Sequence, residues 1–203
     1  MGDPEPIYQL TETAYLDLER KADFKSEFFD GEMFAMAGGS PAHSLIATNL
    51  AGEFRDKLKG RPCVPYNSDL RLKVEHTGLY TYPDLSVICG PLRFADAGQD
   101  TVTNPSLLVE VLSDSTESYD RGAKFHNYVQ IPTLRACLLV SQHEPRIEQF
   151  TRQENGPWLW HEVAGLDATL EIPALQMTIA LAEVFANVPF IPVPIRAQTP
   201  RRG

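Results

Sequence analysis

Two acidic residues stand where a chain normally places only apolar ones. Asp84 lies within the strand-like run 79–89 and Glu110 within 107–113. An unpartnered carboxylate is costly to bury in such surroundings. Two ionised acids about 5 Å apart at an effective dielectric near 20 repel by roughly 3 kcal/mol, so a fold that brings both together calls for a cation between them. A divalent metal meets that need. Lys124, on the helix expected after the second run, completes a set of acid, acid and ammonium suited to a hydrolytic centre.

With 203 residues and 43% hydrophobic content, the chain suffices for one sizeable core, and we expect one domain over 1–188. Cys63, Cys89 and Cys137 are widely spaced in apolar stretches, with no paired spacing that marks a zinc site or a disulfide framework, and read as buried thiols. No apolar run approaches the roughly 20 residues of a membrane span, and the acidic N-terminus lacks the features of a secretory signal. The expectation is a soluble cytoplasmic protein. Of the net charge of -9, six units fall before residue 33. Within the remainder Arg55, Lys57, Lys59, Arg61, Arg71 and Lys73 form a basic stretch that either tracks phosphates or decorates a solvated helix end and turn.

Thr11 or Thr13 caps a short helix ending near Lys21, and Asp30-Gly31 between apolar-rich runs predicts a hairpin of 25–29 with 32–36. Ser40-Pro41 opens a helix to about Leu58 with Leu45, Ile46, Leu50, Phe54 and Leu58 on its core face. Strands are expected over 63–66, 69–74 and 80–89. The run 107–112, apolar on both faces apart from Glu110, belongs in the middle of a sheet. A helix over 116–130, stopped by Ile131-Pro132, leads to a buried strand over 134–140 and makes a crossover. A second hairpin pairs 146–151 with 158–163, a short helix occupies 178–186, and the Pro-containing segment 189–203 reads as an extended tail.

Three segments carry a resemblance: Tyr82-Pro83-Asp84, Val109-Glu110-Val111-Leu112-Ser113 and Asp120-Arg121-Gly122-Ala123-Lys124. Together they resemble the PD-(D/E)XK nuclease superfamily, specifically its bacterial branch named for restriction endonucleases, over about 15–185. The resemblance implies an α/β, restriction-endonuclease-like fold: a mixed sheet flanked by helices, with an N-terminal and a C-terminal hairpin. It implies magnesium, with manganese as a substitute, held by Asp84, Glu110 and the main-chain carbonyl of Val111, and an endonuclease acting on DNA. The superfamily usually places its lysine two residues after the second acid, where this chain has Leu112. Lys124, fourteen residues beyond Glu110, matches a lysine moved to the next helix. Read from spacing alone, it is the i,i+4 ion-pair partner of Asp120, worth about 0.3–0.5 kcal/mol.

His43, in the first turn of its helix, reads either as a neutral ring able to bond phosphate or water, or as packing against Gly38-Gly39. Glu27 or Glu32 supplies a further acid or is an exposed hairpin residue, and Glu27 is preferred. Ser113, Ser115 and Thr116 fit helix capping, and no Gly-x-Ser-x-Gly elbow surrounds them. His76, His126, His143 and His161 lack mutual ligand spacing. Trp158 and Trp160 are expected to cover a sheet edge, and Phe125 and Tyr128 to join the core. Nucleic acid, DNA foremost, is the expected partner, with a homodimer also admitted. The competing readings are a nuclease-fold binding or dimerising scaffold and a metal-dependent hydrolase of a non-nucleic substrate.

Overall fold

The computed structural model describes residues 9–36, 38–154 and 156–190. Helix α1 (Glu12–Glu19) starts where the Thr11 side chain accepts from the Ala14 amide, and the Asp30-Gly31 turn, with both residues at positive φ, joins β1 (Ser26–Phe29) to β2 (Glu32–Ala35). Positive φ at consecutive positions is what a tight hairpin turn demands. Helix α2 (Pro41–Leu58) begins at Ser40, whose hydroxyl accepts from the His43 amide. Strand β3 (Cys63–Asn67) follows, then β4 (Arg71–Val74).

The run 79–89 is not one strand. It divides into β5 (Leu79–Thr81) and β6 (Leu85–Cys89), which belong to different sheets. Pro83 explains the corner: it has no N–H for a ladder and restricts the backbone of Tyr82. Asp84 therefore sits at the bend that opens β6, a correction to the placement inside a strand. After the two-residue β7 (Thr101–Val102), β8 (Leu107–Leu112) is buried at all six positions.

Beyond β8 the expected helix is assembled from three pieces: α3 (Glu117–Tyr119), a π-helical turn (Asp120–Lys124) and α4 (Phe125–Tyr128). They form the crossover to β9 (Ala136–Ser141), which pairs parallel with β8. β10 (Arg146–Arg152) and β11 (Trp158–Ala164) form the second hairpin. A third, β12 (Thr169–Ile172) with β13 (Met177–Ala180), takes part of the stretch expected as helix, and only α5 (Leu181–Val184) is helical there. Its residues bury with a period of two, Met177 and Ile179 inward and Thr178 outward, which is a strand pattern. The tail lies outside the described residues from 191 onward.

One sheet has the order β2-β1-β5-β4-β7 and the other β11-β10-β9-β8-β6-β3, so β8 is central and β3, which carries Pro65, lies at an edge. An edge is where a strand tolerates proline. On one face of the six-stranded sheet, Val87, Val109, Val111, Leu138 and Val140 meet Ile46, Leu50 and Phe54 of α2. On the other, Ile88, Leu108, Leu112 and Leu139 meet Leu72, Val74, Tyr128 and Ile131. Strand alternation puts Glu110 on this second face, between Leu108 and Leu112.

The cysteine expectation is overturned. Cys63 and Cys89 face one another in the antiparallel register of β3 and β6 and form a disulfide, while Cys137 is a buried free thiol. Strand pairing, not sequence spacing, brings the two together across 26 residues. No helix among the described residues is long and apolar enough to cross a membrane.

Candidate active site

β6 and β8 pair antiparallel with Leu85 opposite Val109. Asp84 lies one residue before that pair and Glu110 one residue beyond it, so the two acids stand at the same end of the β6–β8 pairing. Asp84 Oδ2 accepts from the Val111 amide at 2.7 Å and lies 3.2 Å from His43 Nε2. The carboxylate thus ties the start of α2 to the end of β8. Glu110 is 4% exposed and accepts at Oε1 from the Tyr128 hydroxyl at 2.5 Å.

Lys124 enters from the crossover. Its Nζ lies 3.0 Å from Glu110 Oε1, 3.1 Å from Glu27 Oε1 and 3.4 Å from Asp120 Oδ1. The ammonium lies within 3.4 Å of three carboxylates, so the helix pair with Asp120 and the placement beside Glu110 hold at once. Glu27 on β1 is buried and also accepts from the Thr81 hydroxyl, whereas Glu32 is exposed. The hairpin therefore brings Glu27 to the lysine and leaves Glu32 in solvent.

The electrostatics follow from burial. Desolvation pushes the Glu110 carboxyl up to about 8; Lys124 opposes the rise, and the charges of Asp84 and Asp120 add to it. Burial likewise raises Asp120, again with Lys124 in opposition. For Lys124 burial disfavours the charge, but Glu110, Tyr128, Glu27 and Asp120 outweigh it and hold the ammonium well above its usual range. His43 is shifted opposite to the direction expected of a first-turn histidine. Its hydrogen bond to Asp84 raises its pKa, against burial, and the ring also bonds the Val111 backbone. A carboxylate at 3.2 Å outweighs a helix terminus, whose effect is about 0.3–1 kcal/mol at exposed sites.

Gly39 makes room for this ring. A Cβ there would lie 2.7 Å from His43 Nδ1, closer than van der Waals contact allows, so the histidine both packs on the Gly38-Gly39 loop and reaches the acids.

Two residues at this centre escaped the sequence reading. Asp120 was read only as an ion-pair partner, and Tyr128 only as core, yet its hydroxyl holds Glu110. Residues 120, 124 and 128 recur at i,i+4, a signal that one face of the crossover carries all three. Phe125 does pack in the core, on Phe150 and Trp158. Trp158 is half-buried and Trp160 exposed, its indole N–H reaching Glu148. Ser113 Oγ accepts from the Thr116 amide at 3.3 Å, in keeping with a capping role. The basic stretch is divided: Arg71 is buried against Asp100, Lys73 pairs with Glu12 and Arg61 binds the carbonyls of Leu175 and Gln176, while Arg55, Lys57 and Lys59 are exposed at the end of α2.

Residues 13–182 match the sequence model of the Uma2 family, described as "Putative restriction endonuclease". The chain belongs to the Uma2 family. Two uncharacterized proteins of Synechocystis are similar along nearly their whole lengths. One is 38% identical over 185 residues, covering 91% of this chain and 96% of its own. The other is 36% identical over 168 residues, covering 83% and 95%. The fold also matches the crystal structure of a putative nuclease belonging to DUF820 from Anabaena variabilis, with a TM-score of 0.70 at 16% identity, over 87% of this chain and 97% of that one. The Uma2 chain thus has a mixed α/β, restriction-endonuclease-like fold and belongs to a family described as putative restriction endonucleases.

Among the described residues, no three His, Cys, Asp or Glu side chains gather closely enough to hold a metal unaided. Asp84 and Glu110 offer two carboxylates, and Val111 a main-chain carbonyl. Two acids and one carbonyl, all hard oxygen donors with the other positions left to water, fit magnesium.

Proposed function

We propose that this Uma2 protein is a magnesium-dependent endonuclease hydrolysing phosphodiester bonds in DNA, with manganese able to substitute. The observation that supports the reading is the bond of Asp84 to the Val111 amide at 2.7 Å, one residue from Glu110, together with the Lys124 ammonium 3.0 Å from Glu110. Asp84, Glu110 and the Val111 carbonyl would hold the metal, whose chemistry is to acidify a bound water and neutralise charge developing on phosphate. Lys124 supplies a permanent positive charge beside the acids, and Glu27 and Asp120 hold it there. Release of one of its three contacts lets the ammonium donate to the attacking water or to a phosphate oxygen. His43, at the edge of the same centre and favoured in its charged form by Asp84, donates a proton or a hydrogen bond to a substrate oxygen.

One observation favours a second reading, a nuclease-fold binding or dimerising scaffold. The chain carries a net charge of -9 and Arg61, Arg71 and Lys73 of its basic stretch are taken up by internal partners, whereas nucleic-acid binders usually present a basic face. Incubation of the wild type with plasmid DNA, single-stranded DNA and RNA, with magnesium or with chelator, separates the two. Chelator-sensitive cleavage of DNA is the expected result; binding of DNA without cleavage under any metal favours the scaffold.

A further inference from the structure

The hairpin that brings Glu27 to Lys124 also carries an exposed aromatic ring to the same place. In the antiparallel register of β1 and β2, Phe34 stands opposite Glu27. Residues paired in this way project from one face of the sheet, with Cβ atoms about 4.5–5.5 Å apart. The neighbouring pair, Phe28 with Met33, points the other way, into the small core with Tyr15 and Tyr80. Glu27 turns inward and is buried, 3.1 Å from the Lys124 ammonium. Phe34 beside it is 48% exposed. Strand alternation places Met36, also exposed, on the face of Phe34. β2 is an edge strand of its sheet, so the ring meets solvent at the border of the catalytic centre.

Charge decides what such a ring is for. The chain has a net charge of -9, and Glu27, Asp84, Glu110 and Asp120 crowd the centre. Phosphate neutralisation, the usual source of affinity for nucleic acid, is therefore weak here. Stacking of a base on an aromatic side chain needs no charge and no particular sequence, because every base has a π-face. Within a duplex those faces are already covered by neighbouring base pairs, and a base becomes available only when it is unpaired and unstacked. We propose that Phe34, flanked by Met36, is a base-stacking residue bordering the candidate active site, and that the substrate it fits is DNA with unpaired bases near the scissile bond. The inference rests on the nuclease reading above and deepens it by naming the substrate class.

Fluorescence anisotropy in the presence of chelator, with labelled oligothymidylate either single-stranded or annealed to oligodeoxyadenylate, tests it on the wild type, Phe34→Ala, Phe34→Leu and Phe34→Trp. The wild type binds the single strand more tightly than the duplex. Phe34→Ala loses about fivefold or more of the single-strand affinity and leaves duplex binding as it was. Phe34→Leu, apolar but without a ring, loses a similar share, and Phe34→Trp retains the affinity. Trp160→Ala is the control: its ring is 53% exposed but lies on β11, an edge of the other sheet, and its removal changes neither affinity. With magnesium, cleavage of the single strand by Phe34→Ala shows a raised KM with kcat little changed. Thermal melts check that the variants fold, and if Phe34→Ala does not, Phe34→Leu decides. Equal affinity of the wild type for both forms, unchanged single-strand affinity in Phe34→Ala, or full affinity in Phe34→Leu overturns the inference and leaves the nuclease reading standing. Loss of a dimer in Phe34→Ala by light scattering, with DNA binding intact, assigns the ring to a second copy of the chain and likewise overturns it. A wild type that neither binds nor cleaves any nucleic acid overturns both.

Discussion

Glu110 is the residue on which the physics is most exposed. Its carboxyl is raised to about 8 by burial, whereas an unfolded glutamate titrates near 4.3. Between those values the folded state holds more protons than the unfolded state, so the stabilising contribution is present below the unfolded pKa and is lost as pH rises through the folded one. The metal-free protein should therefore lose stability between about pH 5 and pH 8, at up to about 1.4 kcal/mol per pH unit for this group. Chemical-denaturation curves across that range will show the slope, and Glu110→Gln should flatten it; an equal slope in the variant assigns it elsewhere. At Lys124, substitution by Met should abolish cleavage while the chain still folds and still responds to magnesium. The buried acids Glu27, Asp120 and Glu110 then lose their shared cation, so the metal-free melt should fall. Unchanged turnover would reduce Lys124 to a structural ion-pair partner.

Among the elements, the central strand was the most legible in sequence. The run 107–112 is apolar on both faces, and β8 is buried at every position. Asp30-Gly31 and Ser40-Pro41 likewise name their turn and helix start, because positive φ and capping are local requirements. What sequence did not disclose is tertiary. The run 80–89 reads as one strand despite Pro83, and only the pairing of β5 with β4 and of β6 with β8 reveals that a corner there separates two sheets. The Cys63–Cys89 bridge depends on the register of β3 with β6, and so had no local sign. Tyr128 looked like core because it is core; its hydroxyl nonetheless donates to Glu110, 18 residues away. For the disulfide, the chain-entropy view gives about 3 kcal/mol for a closed loop of this length. Unfolding curves with and without reductant, or with Cys63→Ser, should differ by about that amount. Coincident curves would mean that the bridge contributes nothing to stability.

At the scale of the molecule, two sheets and the crossover converge on one centre. Glu27 comes from the first sheet, Glu110 from the central strand of the second and Asp84 from the bend that opens its neighbour β6, Lys124 from the crossover and His43 from the start of α2. The centre thus joins elements far apart in sequence, and its buried acids outnumber their cations in the metal-free protein. Activity and stability should accordingly respond in opposite directions to the loss of one ligand charge. Asp84→Asn keeps the shape of the side chain and removes one negative charge, relieving repulsion with Glu110. The most direct measurement is cleavage of DNA by wild type and Asp84→Asn with magnesium, beside thermal melts of both with and without the metal. The account predicts magnesium-dependent cleavage and a magnesium-induced melt increase in the wild type alone, with the metal-free variant at least as stable. A wild type that cleaves no nucleic acid and shows no melt response to magnesium, or a variant that retains both, would contradict it.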